Sequence, residues 1–233
     1  MVAGLLQFWA QEFASISARY FLFGAGFALF YSQAVRDNWL RILLSLQSFA
    51  IYAVFGWLLY FIQLRFDYSP VYTNVDEHGW FYFFFWIIGM TVYVDAAFYW
   101  VHRLMHGRPI FVFVHKLHHR FVDVTPWASY GLHFNEAALV AVTTLYIPAL
   151  LFPWHPAALL IYSTYNIGWT TYLHCGYELI PEKWQRSGPL SWLYSSRHHK
   201  LHHQNGQYNF GIYFIFWDRL MGTEKENQKE QAA

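Results

Sequence analysis

The run ILLSLQSFAIYAVFGWLLYFIQL, from Ile42 to Leu64, holds no charged residue and is bounded by Arg41 and Arg65. At a helical rise of about 1.5 Å per residue it reaches across a hydrocarbon core of roughly 30 Å, so it reads as a membrane span. Working outward, Phe13 to Gln33 is apolar apart from Arg19, which sits where a long side chain can snorkel. Trp80 to Val101 carries one charge, Asp95. Residues 137–177 are again uncharged, but Pro148, Pro153 and Pro156 interrupt them. Proline lacks a backbone donor and crowds the preceding turn, so residues 137–173 are expected to form a helical hairpin folded at Phe152 to Pro156. Whether its arms cross a thinned bilayer or re-enter deeply, both ends return to one side.

The expectation is therefore all-α: a multi-pass transmembrane bundle of about four spans, or two spans plus hairpins, with a cytosolic histidine-rich helical cap. A single membrane domain covers 1–233, with spans at 13–33, 42–64 and 80–101 and the hairpin at 137–173. Residues 102–136 and 174–223 form the cytosolic catalytic segments, and 224–233 a polar tail. Of the 233 residues 56% are apolar and 12% charged, which excludes a disordered chain, a coiled coil or a collagen-like repeat. A net charge of +1 gives no electrostatic reason to expect nucleic acid as a partner. The single cysteine, Cys175, excludes an internal disulfide framework and a cysteine-held iron–sulfur cluster. It is read as a small packed residue. No basic leader or cleavage site suggests a removable signal peptide. Alternating spans place 13 of the 15 Lys and Arg residues on one side, which the positive-inside rule makes cytoplasmic. Asp67, Asp76 and Glu77 fall on the other.

Histidine is the unusual residue, with 13 copies. His102 and His106 are four apart. His115, His118 and His119 form an H-x-x-H-H cluster, and His199, His202 and His203 repeat it directly after His198. Positions i, i+3 and i+4 share a helix face, so each group aims its imidazoles at a common point. Neutral imidazole suits Zn, Cu, Fe and Ni. A structural zinc uses four ligands, so eight clustered histidines point to two metals with open positions. Two adjacent redox metals at a membrane face can bind and split dioxygen for use against an unactivated C–H bond.

Other polar residues line up with these clusters. Asp95, Tyr99, His102 and His106 make one helical stripe, and an intramembrane carboxylate usually faces a functional interior. Asp95 is expected to accept a hydrogen bond from a ligating histidine, with a polar partner on a neighbouring span as the alternative. Asn166, Thr170 and His174 form a second stripe aimed at the clusters, with His174 a ligand or a donor behind one. His133 and Glu136 stand where the chain re-enters the membrane, in a supporting role or as interface packing. His78 and His155 are read as interface residues.

The stretches HRLMH (102–106), HKLHH (115–119) and HHKLHH (198–203) resemble the three histidine boxes of the fatty acid hydroxylase / sterol desaturase superfamily. The resemblance continues through TPW (125–127), LHFNE (132–136), HCGYE (174–178) and FWDRLMGT (216–223), in the family's order and spacing. It covers roughly Asp95 to Thr223; the first ninety residues match only as generic spans. It implies an integral membrane, non-haem diiron enzyme that uses dioxygen and external electrons to hydroxylate a fatty acyl, sphingoid or sterol lipid. Desaturation at the same site is the alternative. The implied core ligands are His102, His106, His115, His118, His119, His199, His202 and His203; His174 and His198, at accessory positions, are counted with the metal ligands, and His133 is a third accessory position. Asp95, His133, Glu136 and Asn166 are the candidates for catalytic support.

The implied cofactors are two iron ions, which zinc can replace during purification, with dioxygen as cosubstrate. With no fused cytochrome domain and no ferredoxin-like cysteines, electrons are expected from a separate cytochrome- or ferredoxin-type carrier with its reductase. The absence of a retrieval signal leaves a bacterial inner membrane open, or the endoplasmic reticulum in a eukaryote. A histidine-rich metal transporter would need metal-binding residues at mid-membrane depth, where only Asp95 lies. A bis-histidine haem protein would absorb visible light strongly.

Overall fold

Helix α1 (Val2–Ala28) lies antiparallel to α2 (Asn38–Phe66), with Phe8 stacked on Tyr60 near one end and Tyr20 edge-on to Phe49 towards the other. The computed structural model describes residues 2–29, 38–66 and 68–225. Residues 30–33 of the first expected span, Asp67, and 226–233 of the expected tail lie outside the described residues. Helix α3 (Gly79–Met105) follows a 3-10 turn that the Asn74–Glu77 capping box starts. The short α4 (Ile110–Val114) leads into an irregular stretch broken by 3-10 turns at His118–Arg120 and Pro126–Ala128.

Phe134 to Leu151 is one bent rod: α5 (Phe134–Val140), a π-helical segment (Ala141–Tyr146) and α6 (Ile147–Leu151). Pro148 cannot donate to the turn before it, and the wider π turn absorbs that missing bond without ending the helix. The chain reverses at Phe152–His155. Pro156 then occupies the first turn of α7 (Pro156–Leu173), where its missing N–H is harmless, and His155 Nδ1 caps the Ala157 N–H at 3.1 Å. The reversal is tied to the 68–78 loop by Trp154 N–H to Pro70 O at 2.8 Å and Tyr72 N–H to Trp154 O at 3.1 Å. Among the described residues three short α-helices follow α7: α8 (Glu182–Arg186), α9 (Ser196–Gln204) and α10 (Phe216–Leu220).

Among the described residues three helical stretches are long and apolar enough to cross a membrane: α2, α3 and the rod Phe134–Leu151. Helix α3 exposes Phe81, Phe84, Phe85, Ile88 and Val92. Such a face suits hydrocarbon better than water. Its opposite face, with Trp86, Met90 and Val94, packs with Tyr162 and Leu173 of α7 and with Tyr213 and Ile215 of the C-terminal segment.

The irregular stretch 121–133 is largely buried, so its backbone needs partners other than a helix or a sheet. The first two helices supply them. Trp127 O accepts from Tyr20 Oη at 2.8 Å and Ser45 Oγ at 3.3 Å, and Tyr130 O accepts from Ser48 Oγ at 2.8 Å. Buried Arg41 donates to Thr125 Oγ1 at 3.0 Å and lies over the Phe121 ring. A Cβ at Gly24 would stand 2.7 Å from the Trp127 ring, so only glycine lets α1 approach this closely.

Ser48→Ala leaves the Tyr130 carbonyl without this partner in a buried setting. It should lower stability by about 1–3 kcal/mol, whereas Ser69→Ala on the exposed loop should stay within about 0.5 kcal/mol. Unfolding of the detergent-solubilised protein, followed by circular dichroism, compares the two.

Candidate metal centre

Five segments carry the clustered histidines to one end of the bundle. His102 is in the last turn of α3 and His106 is its C-cap; His115 caps α4; His118 and His119 lie in the 3-10 turn after it; His174 caps α7; His199, His202 and His203 line α9. Their donor atoms fall into two groups. His102, His106, His115, His119 and His202 form one, and His118, His174, His199 and His203 the other, with donors inside each group within 4.8 Å of one another. The groups adjoin: the His115 and His118 rings are 5.3 Å apart and those of His119 and His203 4.9 Å.

The outward nitrogens decide what the inward ones can do. A carbonyl oxygen only accepts, so the ring nitrogen facing it must carry the proton. His102 Nδ1 donates to Phe210 O at 3.0 Å, His202 Nδ1 to Tyr208 O at 2.6 Å and His174 Nδ1 to Thr170 O at 2.9 Å. His115 Nδ1 meets the Glu136 carboxyl group at 2.7 Å. A neutral imidazole holds one proton, so each of the three rings that face a carbonyl presents a bare Nε2 to the interior.

The inward nitrogens of the histidines crowd one another. His102 Nε2 is 3.0 Å from His115 Nε2, and His174 Nε2 is 3.0 Å from His199 Nε2. His202 Nε2, bare because its Nδ1–H faces a carbonyl, meets both His106 Nε2 and His119 Nε2 at 3.1 Å, and a cation is what such a convergence of ring nitrogens accommodates. Metal–nitrogen bonds of about 2.1 Å at right angles would set neighbouring nitrogens about 3.0 Å apart. The His119–His202 and His199–His203 contacts, both 3.1 Å, fit the same pattern. These residues fit a metal site.

Electrostatics keep the donors available. Burial first, then the neighbouring imidazoles, holds His115, His118, His199, His202 and His203 well below the usual imidazole range. Burial likewise lowers His119 and His174 to about 4. All seven are neutral at physiological pH, the state that binds a metal.

Asp95 differs from the sequence expectation. Its Oδ1 accepts from the backbone N–H groups of Tyr213 and Phe214, both at 2.9 Å, and not from a histidine. The carboxylate that touches a histidine of the donor groups is Glu136. His133 Nδ1 caps α5 through the Asn135 N–H at 3.2 Å, and His198 Nδ1 closes the capping box at Ser195. Both stand outside the two donor groups. Asn166 lies between Tyr213, whose hydroxyl it accepts from, and Tyr130, to which it donates at 3.3 Å.

Sequence reasoning missed the parts that work through backbone. Asp218 accepts the Phe210 and Gly211 N–H groups, both at 2.9 Å, and Thr223 Oγ1 at 2.7 Å. It therefore holds the segment whose Phe210 carbonyl orients His102. Asn209, at φ 57°, is bound by both its side-chain atoms to residue Lys225. At Gly206 a Cβ would stand 2.6 Å from the His106 ring. Asp218 lies within the FWDRLMGT stretch, but no helical spacing links it to a histidine.

A cavity of about 440 Å³ opens onto both groups, touching His102, His115, His118, His174 and His199. It runs the length of α7 to Pro156, with Val94, Phe98, Leu132 and Ile167 in its walls. A buried cluster of imidazole donors beside an apolar cavity defines a membrane-embedded metalloprotein. The chain belongs to the fatty acid hydroxylase family, whose model matches residues 86–223.

Relatives extend the likeness. The lathosterol oxidase of Rattus norvegicus is 31% identical over 170 residues, covering 72% of this chain and 54% of the relative. A Delta(7)-sterol 5(6)-desaturase of Gibberella zeae is 31% identical over 162 residues, covering 70% of this chain and 48% of that protein. The chain spans about half the length of these curated relatives. No solved structure matches it.

Two substitutions test the centre by elemental analysis of the purified protein. Gly206→Ala should displace His106 and lower metal content selectively at the five-histidine group. Glu136→Gln replaces the carboxyl group that orients His115, and should reduce metal affinity about 10- to 100-fold without changing helical content.

Proposed function

We propose that this chain is a non-haem diiron oxidoreductase that uses dioxygen and electrons from a separate carrier to oxidise a C–H bond of a membrane lipid. The carrying observation is the pair of adjacent, neutral imidazole groups that open together onto one apolar cavity. Imidazole sites accept several metals, and iron is the member of that set suited to dioxygen chemistry in this family. Two irons bound there would supply dioxygen activation and removal of hydrogen from an unactivated carbon.

The chain's own residues do the rest. The nine clustered histidines would hold the metals through their interior nitrogens. Phe210 O, Tyr208 O and Thr170 O fix three of those rings in one tautomer, and Glu136 orients His115. Asp95 and Asp218 position the 210–214 backbone, and His133 and Asn166 support α5 and the cavity wall. Val94, Phe98, Leu132 and Ile167 exclude water from the space beside the donors.

The charge distribution supports a cytoplasmic catalytic face. Arg103, Arg108, Lys116, Arg120, Arg197 and Lys200 lie around the histidine segments, while Arg65 ends α2 at the other end of the bundle. In this arrangement 1–233 forms one membrane domain and the segments 102–136 and 174–223 form its catalytic cap. A cytochrome- or ferredoxin-type donor would then reach the site from the cytoplasm.

Hydroxylation is the leading outcome and desaturation the second reading, which the names of the relatives favour. Both begin with the same hydrogen removal, and small differences in substrate placement separate them. Incubation with lipid, reductase and isotopically labelled dioxygen decides between them. Label in a new hydroxyl is expected; a new double bond without label selects desaturation. Oxygen-independent turnover, or full activity in His202→Ala, would sink the assignment.

A further inference from the structure

The polar groups of the cavity include one charged station far from the histidines. Arg19 of α1 lines the cavity. Its Nη1 donates to Ser163 Oγ at 2.5 Å and Thr164 Oγ1 at 3.2 Å on α7, its Nε to Ser15 O at 3.1 Å and its Nη2 to Ser15 Oγ at 3.4 Å. Each acceptor is a neutral oxygen. Among the described residues no carboxylate oxygen forms an ion pair with this guanidinium, although Glu12 lines the same cavity two turns away. Four of the five N–H donors of an arginine are thus used, and one remains. Glu12 attracts this cation through space without reaching it as an ion pair, and a cation in an apolar wall is costly and commonly functional.

Its position sets a distance. Ser163 precedes His174 by eleven residues on α7, about 16 Å along the helix. Three backbone bonds advance an extended chain by about 3.5 Å. A hydrocarbon of similar bond lengths and angles therefore covers that distance in roughly 13 bonds.

We propose that Arg19, supported by Ser163 and Thr164, is the head-group subsite of the cavity. It takes the carboxylate of a single-chain fatty acid, so that oxidation falls roughly 13 bonds from the head. The assignment of a reacting carbon rests on the C–H oxidase reading above; the carboxylate subsite is testable without it. The carboxylate takes the remaining N–H and pairs with the guanidinium directly, where Glu12 acts only through space, a charge-assisted pairing for which guanidinium is shaped.

Binding of radiolabelled stearic acid, methyl stearate and cholesterol to the purified, metal-loaded protein in detergent separates this subsite from turnover. The wild type should bind the acid at least about tenfold tighter than the ester. Arg19→Gln should bring the acid to the level of the ester, Arg19→Lys should retain part of the preference, and Glu12→Gln, which removes a like charge, should tighten the acid. Equal wild-type affinities for acid and ester overturn the subsite, whatever the variants do. Cholesterol bound as tightly as the acid, and weakened equally by Arg19→Gln, overturns the carboxylate in favour of a hydroxyl head. Mass spectrometry of the oxidised acid should place the change near carbon 13, and oxidation beside the carboxylate overturns the register. Acid preference and Arg19 dependence with no oxygen-dependent product from any lipid would leave the subsite standing and remove the oxidase reading.

Discussion

The donation of imidazole Nδ1–H groups to fixed backbone carbonyls is the interaction on which the rest of the centre depends. Phe210 O, Tyr208 O and Thr170 O face His102, His202 and His174, and because a carbonyl cannot donate, each ring has one tautomer available. The lone pair is thereby forced onto the nitrogen that points inward. Glu136 fixes the orientation of the His115 ring through its carboxyl group. Three lone pairs are oriented before any metal arrives, which lowers the reorganisation that binding would otherwise require.

Carbonyls serve this purpose only if their own segment is rigid, and two buried carboxylates make it so. Asp218 gathers the N–H groups of Phe210 and Gly211, and Asp95 those of Tyr213 and Phe214. Residues 210–214 have no regular helix to satisfy them, so the carboxylates replace the missing ladder. Burial raises Asp218 to about 6, while its hydrogen bonds oppose that shift. The ionised form, which accepts these bonds, is thus still the main form at neutral pH. Helix α3 contributes twice, with Asp95 holding the loop and His102, seven residues on, receiving the carbonyl that the loop presents.

The same logic governs the stretch 121–133, which crosses the interior without regular structure. Tyr20, Ser45 and Ser48 of the first two helices bind its carbonyls, and Arg41 binds Thr125. These helices contribute no histidine to the donor groups, yet they stabilise the backbone that precedes Glu136 and form part of the cavity wall. On α2 the polar residues Arg41, Ser45, Gln47 and Ser48 are grouped where the irregular segment needs them. The exposed parts of α2, such as Leu43 and Val54, remain apolar.

Much of the architecture and nearly all of the donor set follow from local sequence. Uncharged runs long enough to cross a bilayer announce helices, because an unpaired backbone group in hydrocarbon is prohibitive. Histidines at i, i+3 and i+4 converge through helix geometry alone, so His115–His119 and His199–His203 are legible without a fold. The partition into five and four donors is not legible, because His118 and His119 are sequence neighbours whose side chains point into different groups. The partners of Asp95 and the role of Asp218 were equally hidden. Both act through backbone N–H groups, which every residue but proline carries and which leave no mark in side-chain spacing. Local periodicity can place a side chain on a face of its own element; only tertiary packing decides which distant carbonyl, amide or ring that face will meet.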